Sequence, residues 1–138
     1  MKYNYYIASK WRNETEVKQL TNTLRERGFS VYSFMENKED ILPGKTAEEK
    51  IKILESIENW KDNPTLKEIF EKDLEGLKNS ETILLLLPAG PNAHIEAGIA
   101  FGLGKKCILI GKQETPERSY KIFSEIYETK DDFLGTLE

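Results

Sequence analysis

The chain has 138 residues, of which 38% are hydrophobic and 32% charged, with a formal net charge of −4. That is one domain's length, with enough apolar material for a core. The acidic balance argues against a protein that coats nucleic acid. The longest unbroken apolar run, Ile83 to Leu87, falls far short of the roughly 20 residues a membrane span needs, and the N-terminal stretch lacks the apolar core of a signal peptide. A single cysteine, Cys107, and a single histidine, His94, exclude an intramolecular disulfide framework, a thiolate zinc cluster and a multi-histidine metal site within one chain. The expectation is a cytoplasmic globular domain with no metal and no cofactor. If it is an enzyme, carboxylates, hydroxyls and backbone groups carry most of its chemistry.

In chain order, Tyr3 to Ala8 reads as a first strand. Asn13 to Arg27 follows as a helix with Val17, Leu20 and Leu24 on one stripe, closed by Gly28. Phe29 to Phe34 alternates as a second strand, and the polar Met35 to Lys45 segment, with its Pro43-Gly44 signal, reads as a surface loop. Helices are predicted over Thr46 to Trp60 and, after Asp62-Asn63-Pro64, over Thr65 to Asn79. Ile83 to Leu87 has the continuous apolar character of a strand buried on both faces. Pro88 to Pro91 turns the chain into a helix over Ala93 to Leu103, and Cys107 to Ile110 is a further buried strand. Glu117 to Ser124 reads as a short helix, Glu125 to Glu128 as a short strand and Asp131 to Leu137 as a final helix.

This alternation predicts a single α/β domain over residues 1–138. Its centre is a parallel sheet of about five strands with helices on both faces, flavodoxin-like or Rossmann-like. Ligands bind such sheets at the carboxyl ends of the strands. The loops Ser9 to Arg12, Met35 to Lys45, Pro88 to Ala93 and Gly111 to Pro116 are therefore the ones to watch.

Leu84 to Ile110 is the most informative stretch: strand, Gly/Pro turn, helix, strand. Gly90 permits close backbone approach and Pro91 suits a first helical position, so the helix amino end offers N–H groups to a phosphate or sugar oxygen. Glu96 either stabilises that helix end or stands as a carboxylate in the crevice. His94 lies two positions from Glu96, too close along a helix to face the same way; packing, a loop hydrogen bond or a subunit contact explains it better than catalysis. Asp73 interrupts or edges the stripe of Leu66, Phe70 and Leu77. It is either a solvated edge residue or the second carboxylate of a pair, and two carboxylates suffice for glycosidic chemistry. Ser9, Lys10 and Arg12 follow the first strand, either as ordinary polar loop residues or as a grip on a phosphate or sugar hydroxyl. Trp11, Trp60, Tyr5 and Tyr6 are core residues or a stacking face for a base. Cys107, in an apolar strand, reads as an inert structural thiol.

The segment EKDLEGLKNSETILLLLPAGPNAHIEAGIAFGLGKKCIL resembles the nucleoside 2-deoxyribosyltransferase-like superfamily. The matching elements are Asp73-Leu74, Gly90 and the Glu-x-Gly-x-Ala run from Glu96 to Ala100; the opening YYIASKWRNETEVKQLTNTLRERGFSVY is also similar to the family's first strand and helix. Where classical deoxyribosyltransferases carry Asp-x-Gly-Thr, this turn reads Pro88-Ala89-Gly90-Pro91-Asn92-Ala93. Pro88, Gly90 and Glu96 also resemble the Pro-Gly-Gly-x-Gly-Thr-x-x-Glu signature of cytokinin-type nucleotide phosphoribohydrolases. The resemblance implies cleavage or transfer of the N-glycosidic bond of a (deoxy)nucleoside or nucleotide, with no cofactor. It implies that Glu96 is the nucleophile at C1′ and that Asp73 aids protonation or positioning of the leaving base. Ser9, Lys10 and Arg12, with Gly90, Asn92 and Ala93, would contact the sugar and its 5′ group. A homodimer or higher oligomer is expected. The alternatives are a non-catalytic nucleotide-binding module of the same fold, a TIR-like NAD glycohydrolase, and an interaction protein whose helix from Ala93 builds an oligomer.

Overall fold

A computed structural model describes residues 1–36, 44–115 and 117–137. Strands β1 (Tyr3–Ala8), β2 (Val31–Ser33), β3 (Ser80–Leu86), β4 (Lys106–Ile110) and β5 (Glu125–Tyr127) form one sheet in the order β2-β1-β3-β4-β5. Every pairing is parallel. The helices are α1 (Glu14–Glu26), α2 (Ala47–Glu55), α3 (Pro64–Lys78), α4 (Pro91–Gly102) and α5 (Lys130–Gly135).

Because side chains alternate across a strand, the central strands feed two cores. Ile7, Leu84, Leu86, Ile108 and Ile110 point to one face, where Val17, Leu20 and Leu24 of α1 and Phe133 and Leu134 of α5 cover them. Tyr6, Ala8, Ile83, Leu85, Cys107 and Leu109 point to the other, under Leu77 of α3 and Ala93, Ala97 and Ala100 of α4. The three alanines leave α4 no bulk on its inner side, so it lies close to the sheet. Cys107 is buried, and burial pushes its thiol pKa up, as an inert thiol requires.

Capping chemistry sets most helix ends. Gly28 adopts φ +91° and its N–H bonds the Arg25 carbonyl at 3.0 Å, closing α1 as predicted. Thr46 and Glu49 make a capping box at α2, the Glu49 N–H donating to Thr46 Oγ1 at 3.2 Å and the Thr46 N–H to Glu49 Oε1 at 3.0 Å. Asn63 accepts from the Leu66 N–H at 3.0 Å and starts α3.

The differences from the sequence-based expectations are local. The helix expected over Thr46 to Trp60 stops at Glu55, and Trp60–Asp62 is a separate 3₁₀ turn. Trp60 is 62% exposed, so no core contact draws the helix on to it. The second strand is only Val31–Ser33, and residues 34–36 are already helical. Gly44 sits in a turn, while residues 37–43 of the expected loop, including Pro43, and Pro116 lie outside the described residues. The helix expected from Ala93 begins two residues earlier, at Pro91.

The chain crosses from β1 outward to β2 and then back past β1 to β3. That reversal leaves a crevice at the carboxyl ends of β1 and β3, the place where ligands bind in open parallel sheets.

Candidate active site

A cleft of about 950 Å³ opens at that crevice. The loop after β1 (Ser9, Lys10, Trp11, Arg12), α2, the Trp60 turn, the inner side of α3 and the start of α4 line it. Asp73 of α3 and Glu96 of α4 are both among the lining residues. The two carboxylates singled out from sequence therefore meet in one cavity.

Sheet register explains how they are held. Tyr6 of β1 stands opposite Tyr32 of β2, so both rings project from the same face on neighbouring strands. They stack, with centroids 5.0 Å apart and planes 8° from parallel. The Tyr6 phenol donates to Glu96 Oε2, and the Tyr32 phenol donates to Asp73 Oδ1 at 2.9 Å. Two stacked phenols from adjacent strands thus reach two carboxylates on adjacent helices. Burial first, and then the Glu96 carboxylate, raise the Tyr6 pKa well above its ordinary value. Burial first, and then Asp73, raise that of Tyr32. Both phenols consequently remain protonated donors.

Asp73 is 6% exposed, which overturns the reading of it as a solvated edge residue. Glu96 is partly exposed toward the cleft. Because α4 starts at Pro91, Glu96 falls beyond the first turn, which holds no acidic residue. The helix dipole fades within that turn, so Tyr6 rather than the helix end is what holds Glu96.

The remaining expected site residues divide. Ser9 is buried, and its hydroxyl donates to the Leu86 carbonyl at 2.7 Å while accepting from Asn13 Nδ2 at 3.1 Å. It ties the end of β1 to the end of β3 at the floor of the crevice. Lys10 is exposed on the cleft wall. Arg12 pairs with Glu55 at 3.1 Å and lies 3.8 Å from Glu48, all three well exposed. Gly90, with extended backbone, precedes α4, and no side chain caps the helix there. Asn92 is exposed beside it, whereas Ala93 is buried against the sheet. His94 does not border the cleft. Its Nδ1 lies 2.8 Å from the Gly90 carbonyl and its Nε2 2.9 Å from the Tyr120 hydroxyl. A carbonyl only accepts, so Nδ1 donates to Gly90, and the second ring nitrogen shares a hydrogen bond with the Tyr120 hydroxyl. His94 is therefore a loop clamp.

The roles of Tyr6 and Tyr32 were not read from sequence, and neither was the part played by α2 and the Trp60 turn in walling the cleft. Trp60, Phe70 and Ile95 stand 62%, 57% and 62% exposed on its rim. Trp60 is thus not a core residue. Among the described residues no cluster of His, Cys, Asp or Glu could hold a metal ion, and no helix is long and apolar enough to cross a membrane.

Solved structures that share this architecture include the following two. One is a 2-deoxyribosyltransferase from the psychrotolerant bacterium Bacillus psychrosaccharolyticus, with a TM-score of 0.68 and 19% identity over 94% of this chain and 89% of that one. The other is the CMP N-glycosidase BcmB of Clostridium botulinum, with a TM-score of 0.61 and 17% identity over 97% of each chain. No family model matches the chain, and no curated protein matches it. The chain shares the α/β fold of these two structures, the parallel-sheet architecture expected from its sequence.

Proposed function

We propose that this protein breaks or transfers the N-glycosidic bond of a nucleoside or nucleotide, with Glu96 as the attacking group. The observation that carries the reading is the convergence of Glu96 and Asp73 in one cleft at the carboxyl edge of the sheet, each bonded to a buried or half-buried tyrosine. The shared fold supports it, since one neighbour is a deoxyribosyltransferase and the other a CMP N-glycosidase.

A carboxylate oxygen of Glu96 attacks the anomeric carbon. The bond from C1′ to the base nitrogen breaks, and its electron pair leaves with the base, which takes up a proton. Asp73, across the cleft, assists that protonation or positions the base. Water or a second free base then opens the glycosyl ester at C1′ and restores the Glu96 carboxylate. Tyr6 orients the nucleophile by donating to one of its oxygens. Lys10 and Asn92 line the cleft, and with the N–H groups at the start of α4 they would receive the sugar and its 5′ group.

The test is chromatographic detection of free base from deoxynucleosides, nucleoside monophosphates and NAD, each with and without a second base. Wild type releases or exchanges base from one class. Glu96→Gln, nearly isosteric, loses about 10³-fold or more in turnover while its melting temperature stays close to wild type. Undiminished turnover in Glu96→Gln contradicts the assignment. Intact nucleotide binding with no base release by wild type points instead to a binding module.

A further inference from the structure

Three residues beside the candidate site are poor choices for stability alone. Asp73 lies 6% exposed on an otherwise apolar helix face. Gly76 interrupts the interior of α3, three residues on and on the same side. Tyr32 brings a phenol into the space between helix and sheet. Aspartate and glycine are both weak helix formers, and leucine and alanine would serve a merely structural helix better. Their geometry explains the combination. A Cβ on Gly76 would lie 2.5 Å from Cε2 of Tyr32, so only glycine lets the ring pass under α3. Passing there, the ring lies flat on Tyr6 and its hydroxyl reaches Asp73 Oδ1 at 2.9 Å.

We infer that Tyr32, in the gap left by Gly76, is a positioning residue that fixes Asp73 relative to Glu96. The inference rests on the proposed glycosidic chemistry and goes beyond it, because it names how the two carboxylates are kept in register. Tyr32 cannot swing without displacing Tyr6, whose own hydroxyl holds Glu96. The stacked pair therefore works as a strut. It spans from one helix to the other along the face of the sheet that both helices cover, and it sets where Asp73 meets the leaving base once Glu96 has met the sugar.

The experiment is a double-mutant cycle in base release, with Tyr32→Phe, Asp73→Asn and the pair. Tyr32→Phe keeps the ring and its stacking and removes only the hydroxyl. Its kcat is expected to fall about 10- to 100-fold, as small misplacements of a reacting group do, with KM and melting temperature little changed. In the Asp73→Asn background the same change is expected to cost less than about threefold, because Tyr32 acts through Asp73. Gly76→Ala, which crowds the ring, is expected to reproduce the loss. Wild-type kcat in Tyr32→Phe, full activity in Asp73→Asn, or an equal loss from Tyr32→Phe in both backgrounds each overturns the inference. An active wild type with an additive cycle refutes the strut alone. A wild type that releases no base refutes the glycosidic reading and the strut together.

Discussion

Tyr6 is wholly buried, yet its one polar atom is spent on a carboxylate rather than on the backbone. That arrangement makes the phenol hard to ionise: burial acts first, and the Glu96 charge adds to it. Tyr32 follows the same logic with Asp73. A phenol whose folded pKa exceeds its unfolded value near 10 binds more protons folded than unfolded above that pH. Its contribution to stability is therefore complete below about pH 10 and is lost progressively as pH rises through the folded value. Of the six tyrosines, Tyr6 and Tyr32 are expected to stay un-ionised until the protein unfolds. Tyrosinate absorbance followed alongside circular dichroism on raising the pH checks this. Six tyrosines ionising together near pH 10 in a still-folded protein would contradict it.

At the scale of elements, helix α4 decides where Glu96 stands. Ala93, Ala97 and Ala100 press it against the sheet, and Glu96 is adjacent to the middle one. Ala97→Leu forces extra volume into a filled interface, so it is expected to destabilise by about 1–3 kcal/mol. The same change lifts Glu96 away from Tyr6, so catalysis falls with stability. Urea denaturation and base release on the same variant test both; unchanged stability would mean that α4 does not sit tightly on the sheet. Most elements were legible from sequence, because their signals are local. Continuous apolar runs mark the buried strands, Val17, Leu20 and Leu24 mark α1, and Pro91 and Gly28 mark helix ends. Asp73 stands out in the sequence as a carboxylate interrupting an apolar helix stripe, and Glu96 as one near a helix amino end at the strand-end crevice. The tyrosine pair was not legible, because its meaning depends on register between β1 and β2 and on which side of α3 faces the sheet. Asp73 and Gly76 at helical spacing were the available hint. The length of α2 was misread because Ile57 and Trp60 continue its apolar period although no core waits for them.

For the whole molecule, the switch from β2 across β1 to β3 places the cleft, and the similarity to the two solved structures described above extends over nearly the entire chain. Among the described residues none covers the rim of the cleft, where Trp60, Phe70 and Ile95 are exposed. An apolar rim of this kind suits a subunit contact, and we expect a homodimer or higher oligomer. Light scattering coupled to gel filtration is expected to give a mass of at least twice the monomer's, falling in Trp60→Glu; a monomer at micromolar concentration would contradict it.

The most direct test of the central claim, that Glu96 attacks the anomeric carbon, is to look for the sugar on it. The protein would be turned over with the substrate found active, quenched in acid, digested and examined by mass spectrometry. The expected result is a peptide containing Glu96 that gains the mass of the anhydro-sugar, absent in Glu96→Gln. Base release with the adduct on another residue, or base release that persists undiminished in Glu96→Gln, would contradict the account.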